Sequence, residues 1–161
     1  MFTRRTAVLL LAAMLAGCAA TPSLDRSTVD LDMAPRDAAS SESMPEGTVN
    51  WGGRIIAIRT VDESSEIEVL SFPLTSTGRP DTRRDSDGRF IAVREGFVDP
   101  LVYGPGRAVS VVGRIMSRRE GSVGDAPFTW PVVAVVDMAP VEEHRPAGVT
   151  PFFSIGVGIG F

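Results

Sequence analysis

Five stretches of the chain alternate apolar and polar residues, or form short apolar runs, in the manner of β-strands. The clearest is 66–72, in which Ile67 and Val69 alternate with Glu66 and Glu68. A period of two is typical of a strand that buries one face. Comparable patterns, bounded by Gly, Pro, Asp or Ser, predict strands at 49–58, 66–72, 89–93, 108–116 and 130–136.

Glycine and proline refine these elements. Gly52 and Gly53 interrupt the first strand and predict a bulge or a close approach of two backbones. Pro131 is expected at the start or the edge of the fifth strand, where no backbone donor is needed. Asp99 and Pro100 predict one helical turn between the third and fourth strands, because Asp caps helices and Pro suits the first helical position.

The order and lengths of the strands predict an all-β domain over 48–141. Five strands with a short helical element between the third and fourth are typical of a small OB-like, partly open barrel. Closing the sheet on itself also removes exposed edges. The alternation places Val109, Val111 and Ile115 on the inward face, and the polar residues 117–129 predict a turn. A small β-sandwich is the alternative, because both folds share this pattern.

The first 17 residues have the features of an export signal. Arg4 and Arg5 precede an apolar run of about ten residues, too short to span a bilayer, which needs roughly 20. The run ends at Leu15-Ala16-Gly17-Cys18, which resembles the lipobox of bacterial lipoproteins. That resemblance implies cleavage before Cys18 and lipid on its thiol. By the same resemblance, Ala19 implies sorting to the outer membrane. Whether the protein lies on the periplasmic face or on the cell surface is left undecided. The membrane is thus the first predicted partner.

Two further segments flank the predicted barrel. Residues 18–47 are rich in Ala, Ser, Asp, Pro and Thr without periodicity, and predict a flexible tether behind the lipidated cysteine. Residues 142–161 predict a linker and a glycine-rich tail. The tail alternates Gly or Ser with large apolar residues and predicts an edge strand, a homo-oligomer contact, an envelope-protein contact or a membrane contact. Its apolar positions are Phe153, Ile155, Val157, Ile159 and Phe161.

The charge balance narrows the choice of partners. All 16 basic residues are arginine, and removal of the leader leaves 14 of them against 20 acids, a net charge of about −6. An acidic surface disfavours nucleic acid as a partner, because phosphates must be neutralised by cations. It also disfavours electrostatic binding to anionic lipid.

Short pieces across some 90 residues resemble the Slp family of outer-membrane lipoproteins. Their order and spacing behind a lipobox carry the resemblance. It implies an envelope location and a small β-domain, and it implies no settled biochemical activity. The pieces include Val49-Asn50-Trp51-Gly52-Gly53, Gly88-Arg89-Phe90, Phe97-Val98-Asp99-Pro100-Leu101-Val102-Tyr103, Gly106-Arg107 and Trp130-Pro131-Val132-Val133.

The sequence predicts no enzyme, no cofactor, no metal and no catalytic residue. His144 is the only histidine, and no second histidine or spare cysteine accompanies it as a zinc ligand. The Asp85-Ser86-Asp87-Gly88 stretch resembles a calcium loop, but Arg83 and Arg94 occupy its first and twelfth ligand positions. A surface turn is the simpler interpretation.

The leading hypothesis is a lipid-anchored envelope protein with a non-enzymatic role in binding a protein or another envelope component. The alternative is a small-molecule or glycan-binding module on the OB-like surface. Both hypotheses draw on one set of candidate residues for the binding surface. The same residues could instead have only structural roles, in core packing, helix capping and ion pairing. These residues are Trp51, Arg89, Asp99, Tyr103, Arg107 and Trp130.

Overall fold

The computed structural model describes residues 24–142. Its elements, in chain order, are α1 (Pro35–Ser40), β1 (Thr48–Val61), β2 (Ser64–Ser71), β3 (Gly88–Glu95), α2 (Pro100–Tyr103), β4 (Ala108–Val123) and β5 (Ala126–Val141). All five predicted strands are present, and α2 begins where the Asp-Pro pair predicted it. The Asp99 carboxylate accepts a hydrogen bond from the Leu101 amide at 2.9 Å and caps this turn.

The strands form one closed barrel in the order β1-β2-β3-β5-β4. Neighbouring strands are antiparallel except β3 and β5, which run parallel from Ile91↔Val132 to Val93↔Ala134. This order with a helical element between β3 and β4 confirms the all-β, OB-like prediction, and the β-sandwich alternative is wrong. The barrel is closed rather than partly open, because the short parallel pairing joins β3 to β5.

The barrel core consists of the inward residues of each strand. Val109 and Val111 on β4 are fully buried and Ile115 is nearly so, as the alternation predicted. Ile67 and Val69 from β2 belong to the same cluster. On β2 the outward residues are half-buried and only one face supplies the core, whereas β4 is buried on both faces from Ala108 to Gly113.

The glycine pair in β1 permits close packing. A Cβ atom on Gly53 would collide with the Leu70 carbonyl of β2, so only glycine fits. The close-approach prediction is therefore confirmed, whereas the register shift that marks a bulge lies beyond it, between Ile55 and Ala57.

The β4–β5 hairpin is much longer than the sequence pattern predicted. Each strand has 16 residues, and pairing continues from Ala108↔Val141 to Val123↔Ala126. The predicted polar turn over 117–129 is thus mostly strand, and the turn itself lies at Gly124 and Asp125. Pro131 lies within β5 and is fully buried, rather than at the start of the strand.

Residues 24–47, which we call the N-terminal strap, are packed against the barrel. The Asp30 carboxylate accepts a hydrogen bond from the Thr48 amide at 2.7 Å. Ala38 in α1 is 1% exposed and belongs to the barrel core cluster. Arg118 on β4 donates to the carbonyls of Ala38 and Ser43 at 3.1 and 2.8 Å. The flexible-tether prediction is wrong for this part, because single apolar side chains and main-chain hydrogen bonds hold the strap without any periodic pattern.

Candidate functional site

The structure divides the six candidate residues among different environments. Trp51 is 4% exposed and packs in the barrel core, with its ring centroid 5.1 Å from that of Phe90. Its indole N–H donates to the Met33 carbonyl in the strap at 2.6 Å. Trp51 is therefore a core residue that fastens the strap, and it offers no exposed platform for a ligand.

Arg89 and Trp130 meet at one carboxylate on the outer surface of the barrel. Glu68 on β2 accepts a hydrogen bond from the Trp130 indole at 3.1 Å and an ion-paired one from Arg89 at 3.1 Å. Trp130 is 8% exposed and its ring lies 4.8 Å from that of Phe128. This arrangement favours the structural interpretation of both residues, since their polar atoms have partners and the indole is covered.

The far end of the β4–β5 hairpin lies over the outer face of β2. Arg119 on β4 forms a bidentate pair with Glu66, with N···O distances of 2.6 and 2.7 Å. The hydrogen bond from Arg119 holds the pKa of the Glu66 carboxyl below its ordinary value. Beside it, Ile91, Trp130 and Val132 form a second apolar cluster. OB domains commonly bind oligonucleotides or oligosaccharides on the strand 2–3 face. Here that face carries carboxylates that are already paired.

Asp99, Tyr103 and Arg107 belong to the connection between β3 and β4. Asp99 caps α2, and the half-buried Tyr103 donates its hydroxyl to the Met138 carbonyl at 3.3 Å. Arg107 is exposed, and its main chain exchanges hydrogen bonds with Ile55 and Gly104. Two of the three side chains thus stabilise this connection, and the Arg107 guanidinium faces solvent.

The same connection displays apolar side chains that were not candidates. Phe97 is 73% exposed and Leu101 is 81% exposed, on either side of the buried Val98. We call residues 96–103 the connecting segment. The family-like piece 97–103 contains both side chains, but sequence alone does not separate an exposed Phe97 from the buried Val98.

A cavity of about 420 Å³ lies between the strap, the start of β1 and the β2–β3 connection. Asn50 and Asp87 line it, and a side-chain oxygen of each is buried without a hydrogen-bond partner among the described residues. Sequence reasoning missed this site. Asp87 was considered only as a calcium ligand, and Asn50 only as part of a family-like piece.

The described residues contain no group of three or more His, Cys, Asp or Glu side chains arranged to hold a metal ion. Within 24–142, no helix has the length and apolarity to cross a bilayer. Cys18, His144 and the tail positions Phe153, Ile155, Val157, Ile159 and Phe161 lie outside the described residues.

Known proteins resemble this chain in sequence and in fold. An uncharacterized lipoprotein, YeaY, of Escherichia coli is 30% identical over 77% of this chain and 65% of its own length. An uncharacterized protein of Haemophilus influenzae is 31% identical over 74% of this chain and 66% of its own length. The outer membrane protein Slp of E. coli is 24% identical over 80% and 69%. The chain thus spans about two thirds of the length of these relatives.

A solved structure, that of a small single-stranded DNA-binding protein from Streptomyces coelicolor, aligns with a TM-score of 0.40 at 15% identity. The alignment covers 61% of this chain and 96% of that one. In sequence, residues 15–150 match the model of the Outer membrane lipoprotein Slp family. This match confirms the sequence resemblance to the Slp family and the predicted location, lipid-anchored in the outer membrane. The chain belongs to the Slp family of outer membrane lipoproteins.

Proposed function

We propose that this lipoprotein is a non-enzymatic docking module that binds another envelope protein through the connecting segment. The observation that carries the proposal is the exposure of Phe97 and Leu101, 73% and 81%, on a segment held in place by the barrel. Burial of such a side chain in an interface gains roughly 1.5–3 kcal/mol. Two such side chains, four residues apart in one segment, supply an apolar anchor of the kind that dominates protein interfaces.

The segment is held at both ends, which supports docking by a preformed surface. The Gly96 amide donates to the Glu63 carbonyl at 2.8 Å. Buried Val98 donates its amide to the Ser65 hydroxyl at 3.2 Å. At the other end, the Tyr103 hydroxyl reaches the Met138 carbonyl of β5. The barrel already holds this segment in one conformation. A partner that binds it therefore loses little free energy to ordering the segment.

The strap supports an envelope partner, because it keeps the barrel close to the anchor. Lipid on Cys18 would lie six residues before Leu24, the first described residue. Six residues span at most about 20 Å when fully extended. A tether that continued to residue 47 would have allowed the domain to move much further from the bilayer. The docked strap instead confines the barrel to the membrane surface, where envelope proteins are concentrated.

The described polar groups support a non-enzymatic role. Glu66 is paired with Arg119, and Glu68 is shared by Arg89 and Trp130. Asp99 is engaged as a helix cap. These three carboxylates are thus engaged in contacts that stabilise the fold.

The proposal is tested by photocrosslinking in intact cells. Phe97 is replaced by p-benzoylphenylalanine, which keeps an aromatic ring at the position. The matched control carries the same group at Val136, which is 54% exposed on β5. We expect one envelope protein to crosslink at position 97, and Leu101→Ser in the same chain to abolish the crosslink. Crosslinking that is equal at both positions, or that survives Leu101→Ser, would overturn docking through this segment.

The small-molecule alternative also has an observation in its favour, at a cavity that Trp51 alone of the candidate residues lines. Trp51 and Tyr103 are packed and hydrogen-bonded. The cavity beside Asn50 and Asp87 offers polar atoms without partners. This second candidate function is developed below.

A further inference from the structure

The cavity of about 420 Å³ has the dimensions of a small-ligand site, since such sites commonly measure roughly 300–1,000 Å³. One wall is the strap, with Leu31 and Met33. The β2–β3 connection contributes Phe72 and Leu74 to the lining, and β1 contributes Trp51. Five apolar side chains thus surround a space that a slender carbon chain can enter.

The polar atoms of the cavity are acceptors that lack donors. The Oδ1 atoms of Asn50 and Asp87 are buried and have no hydrogen-bond partner among the described residues. A buried polar atom without a partner costs free energy, so native proteins normally satisfy it with protein, water or a ligand. These two oxygens therefore mark where a donor would be stabilised.

Asp87 is fixed by its main chain. Its amide donates to the Ser71 carbonyl at 3.2 Å, and its carbonyl accepts from the Arg36 amide at 3.0 Å. The Arg36 guanidinium donates instead to the Ser86 carbonyl at 2.6 Å. The nearest arginine of the strap is thus engaged elsewhere.

The charge of the cavity is negative. Asp32 and Asp87 both line it, and no arginine is among the lining residues that the structure describes. A buried carboxylate is stabilised best by a cation that also donates hydrogen bonds. A primary ammonium group meets both requirements, because it carries one positive charge and three N–H donors.

We propose that this cavity binds the primary ammonium group of a small amine. The ammonium lies against Asn50 and Asp87, with Asp32 contributing negative charge, and the attached carbon atoms pack between the apolar walls. Both a lipid headgroup that ends in a primary amine and a free amine of the periplasm have this chemistry. The inference develops the second candidate function and is independent of the connecting segment, so failure of either leaves the other standing.

Trp51 provides a reporter at the site, because this residue lines the cavity while Trp130 lies in a different cluster. The full-length lipidated protein in dodecyl maltoside is labelled with ¹⁵N, and Trp130→Phe assigns the two indole resonances. We expect n-butylammonium to shift the Trp51 indole resonance and to leave that of Trp130 in place. At equal ionic strength, 1-butanol and tetramethylammonium should produce no comparable shift, since one lacks the charge and the other lacks N–H donors.

Two charge-removing variants identify the carboxylates. Asp87→Asn should weaken n-butylammonium binding about tenfold, as expected for loss of a charged hydrogen bond. Asp32→Asn, at an exposed position with little effect on folding, should also weaken it. Asp85→Asn, in the same loop but outside the cavity lining, is the matched control and should bind normally.

The remaining outcomes would overturn the proposal. An unchanged Trp51 resonance with n-butylammonium means that the cavity does not bind the ammonium group. Equal shifts with 1-butanol mean that it recognises carbon chains without the ammonium. Equal weakening by Asp85→Asn means general attraction to an acidic protein. Once binding is established, nanodiscs of phosphatidylethanolamine and of phosphatidylglycerol distinguish the sources. A shift confined to phosphatidylethanolamine identifies this lipid headgroup as a ligand, and its absence excludes this headgroup and favours a free amine.

Discussion

The indole N–H of Trp51 donates a hydrogen bond of 2.6 Å to the main-chain carbonyl of Met33. The donor belongs to the core of the barrel and the acceptor to the strap, 18 residues earlier. The bond thereby joins the segment that follows the lipid anchor to the centre of the domain. It also lies in the wall of the cavity, so strap, core and candidate site share one contact.

Loss of this bond should loosen the strap. Trp51→Phe keeps an aromatic ring against Phe90 and leaves the Met33 carbonyl without its donor. We expect the free energy of unfolding to fall by roughly 1–3 kcal/mol. Hydrogen exchange of the amides in residues 29–38 should accelerate in the same variant. The control is Trp130→Phe, which removes the bond to Glu68 and should leave exchange in the strap unchanged. Equal protection in both variants would contradict the prediction.

The inward face of β4 should not tolerate charge. Val111 is 1% exposed, so Val111→Asp buries a carboxylate without a partner. The cost should be several kcal/mol, enough to unfold a domain of ordinary stability. Met116 on the same strand is half-exposed, and Met116→Asp should change the melting temperature little. Thermal denaturation followed by circular dichroism compares the two, and a folded Val111→Asp variant would contradict the face assignment.

The Glu66–Arg119 pair should make stability depend on acid. The pKa of Glu66 is lowered in the folded protein, so its contribution is fully present above the ordinary value of 4.5. That contribution is lost as the pH falls through the lower, folded pKa. Because Arg119 is 44% exposed, we expect at most about 1 kcal/mol.

Glu66→Gln should therefore lower stability at neutral pH and flatten its decline below pH 4.5. Urea denaturation at a series of pH values measures both effects. Glu120→Gln, on the exposed side of the same hairpin, is the control. An acid dependence that is identical in the wild type and Glu66→Gln would show that the pair contributes nothing.

The lipid anchor is tested by Cys18→Ser. Without the thiol no thioether can form, so fatty-acid labelling should disappear. The protein should then leave the membrane fraction or remain uncleaved. Metabolic labelling and membrane fractionation measure these results. Mutant protein that is cut normally and fully membrane-bound would exclude this anchor.

The tail should promote association. Its alternating Phe153, Ile155, Val157, Ile159 and Phe161 each gain roughly 1.5–3 kcal/mol on full burial, whereas the intervening glycines oppose independent folding. We expect lipid-free protein to form a larger assembly than a variant that lacks residues 150–161. Sedimentation of both measures the mass. If both are monomeric and the truncated lipoprotein keeps its partners in cells, the tail has no role in association.

The sequence predicted the strands well because alternation is a local property. A strand with one face in the core must repeat every two residues, as Val109 and Val111 do, whichever strand lies beside it. The sequence pattern missed the extension of β4 and β5 because this part of the hairpin buries few apolar side chains. Its polar residues satisfy their backbone hydrogen-bonding groups by pairing with each other across the hairpin, as Glu120 does opposite Thr129.

The candidate residues were predicted by type, and their roles depended on where they lie. An aromatic residue in a strand is equally consistent with a ligand platform and with a core. Trp51 packs in the barrel core and Trp130 packs against Phe128 within β5, so the structure favours packing for both. Asn50 and Asp87 are 37 residues apart in sequence and line one cavity, and no local sequence pattern predicts that they do so.

The sequence by itself predicted the leader and the lipobox at Cys18, and it determined the five strands and the inward face of β4. Each of these follows from neighbouring residues, because hydrophobic length and side-chain period are local quantities. Only the tertiary structure decided that β3 pairs with β5, that the strap is docked, that Phe97 is exposed and that a cavity lies beside Trp51. These features depend on contacts between residues distant in sequence, and such contacts arise only when the chain closes on itself.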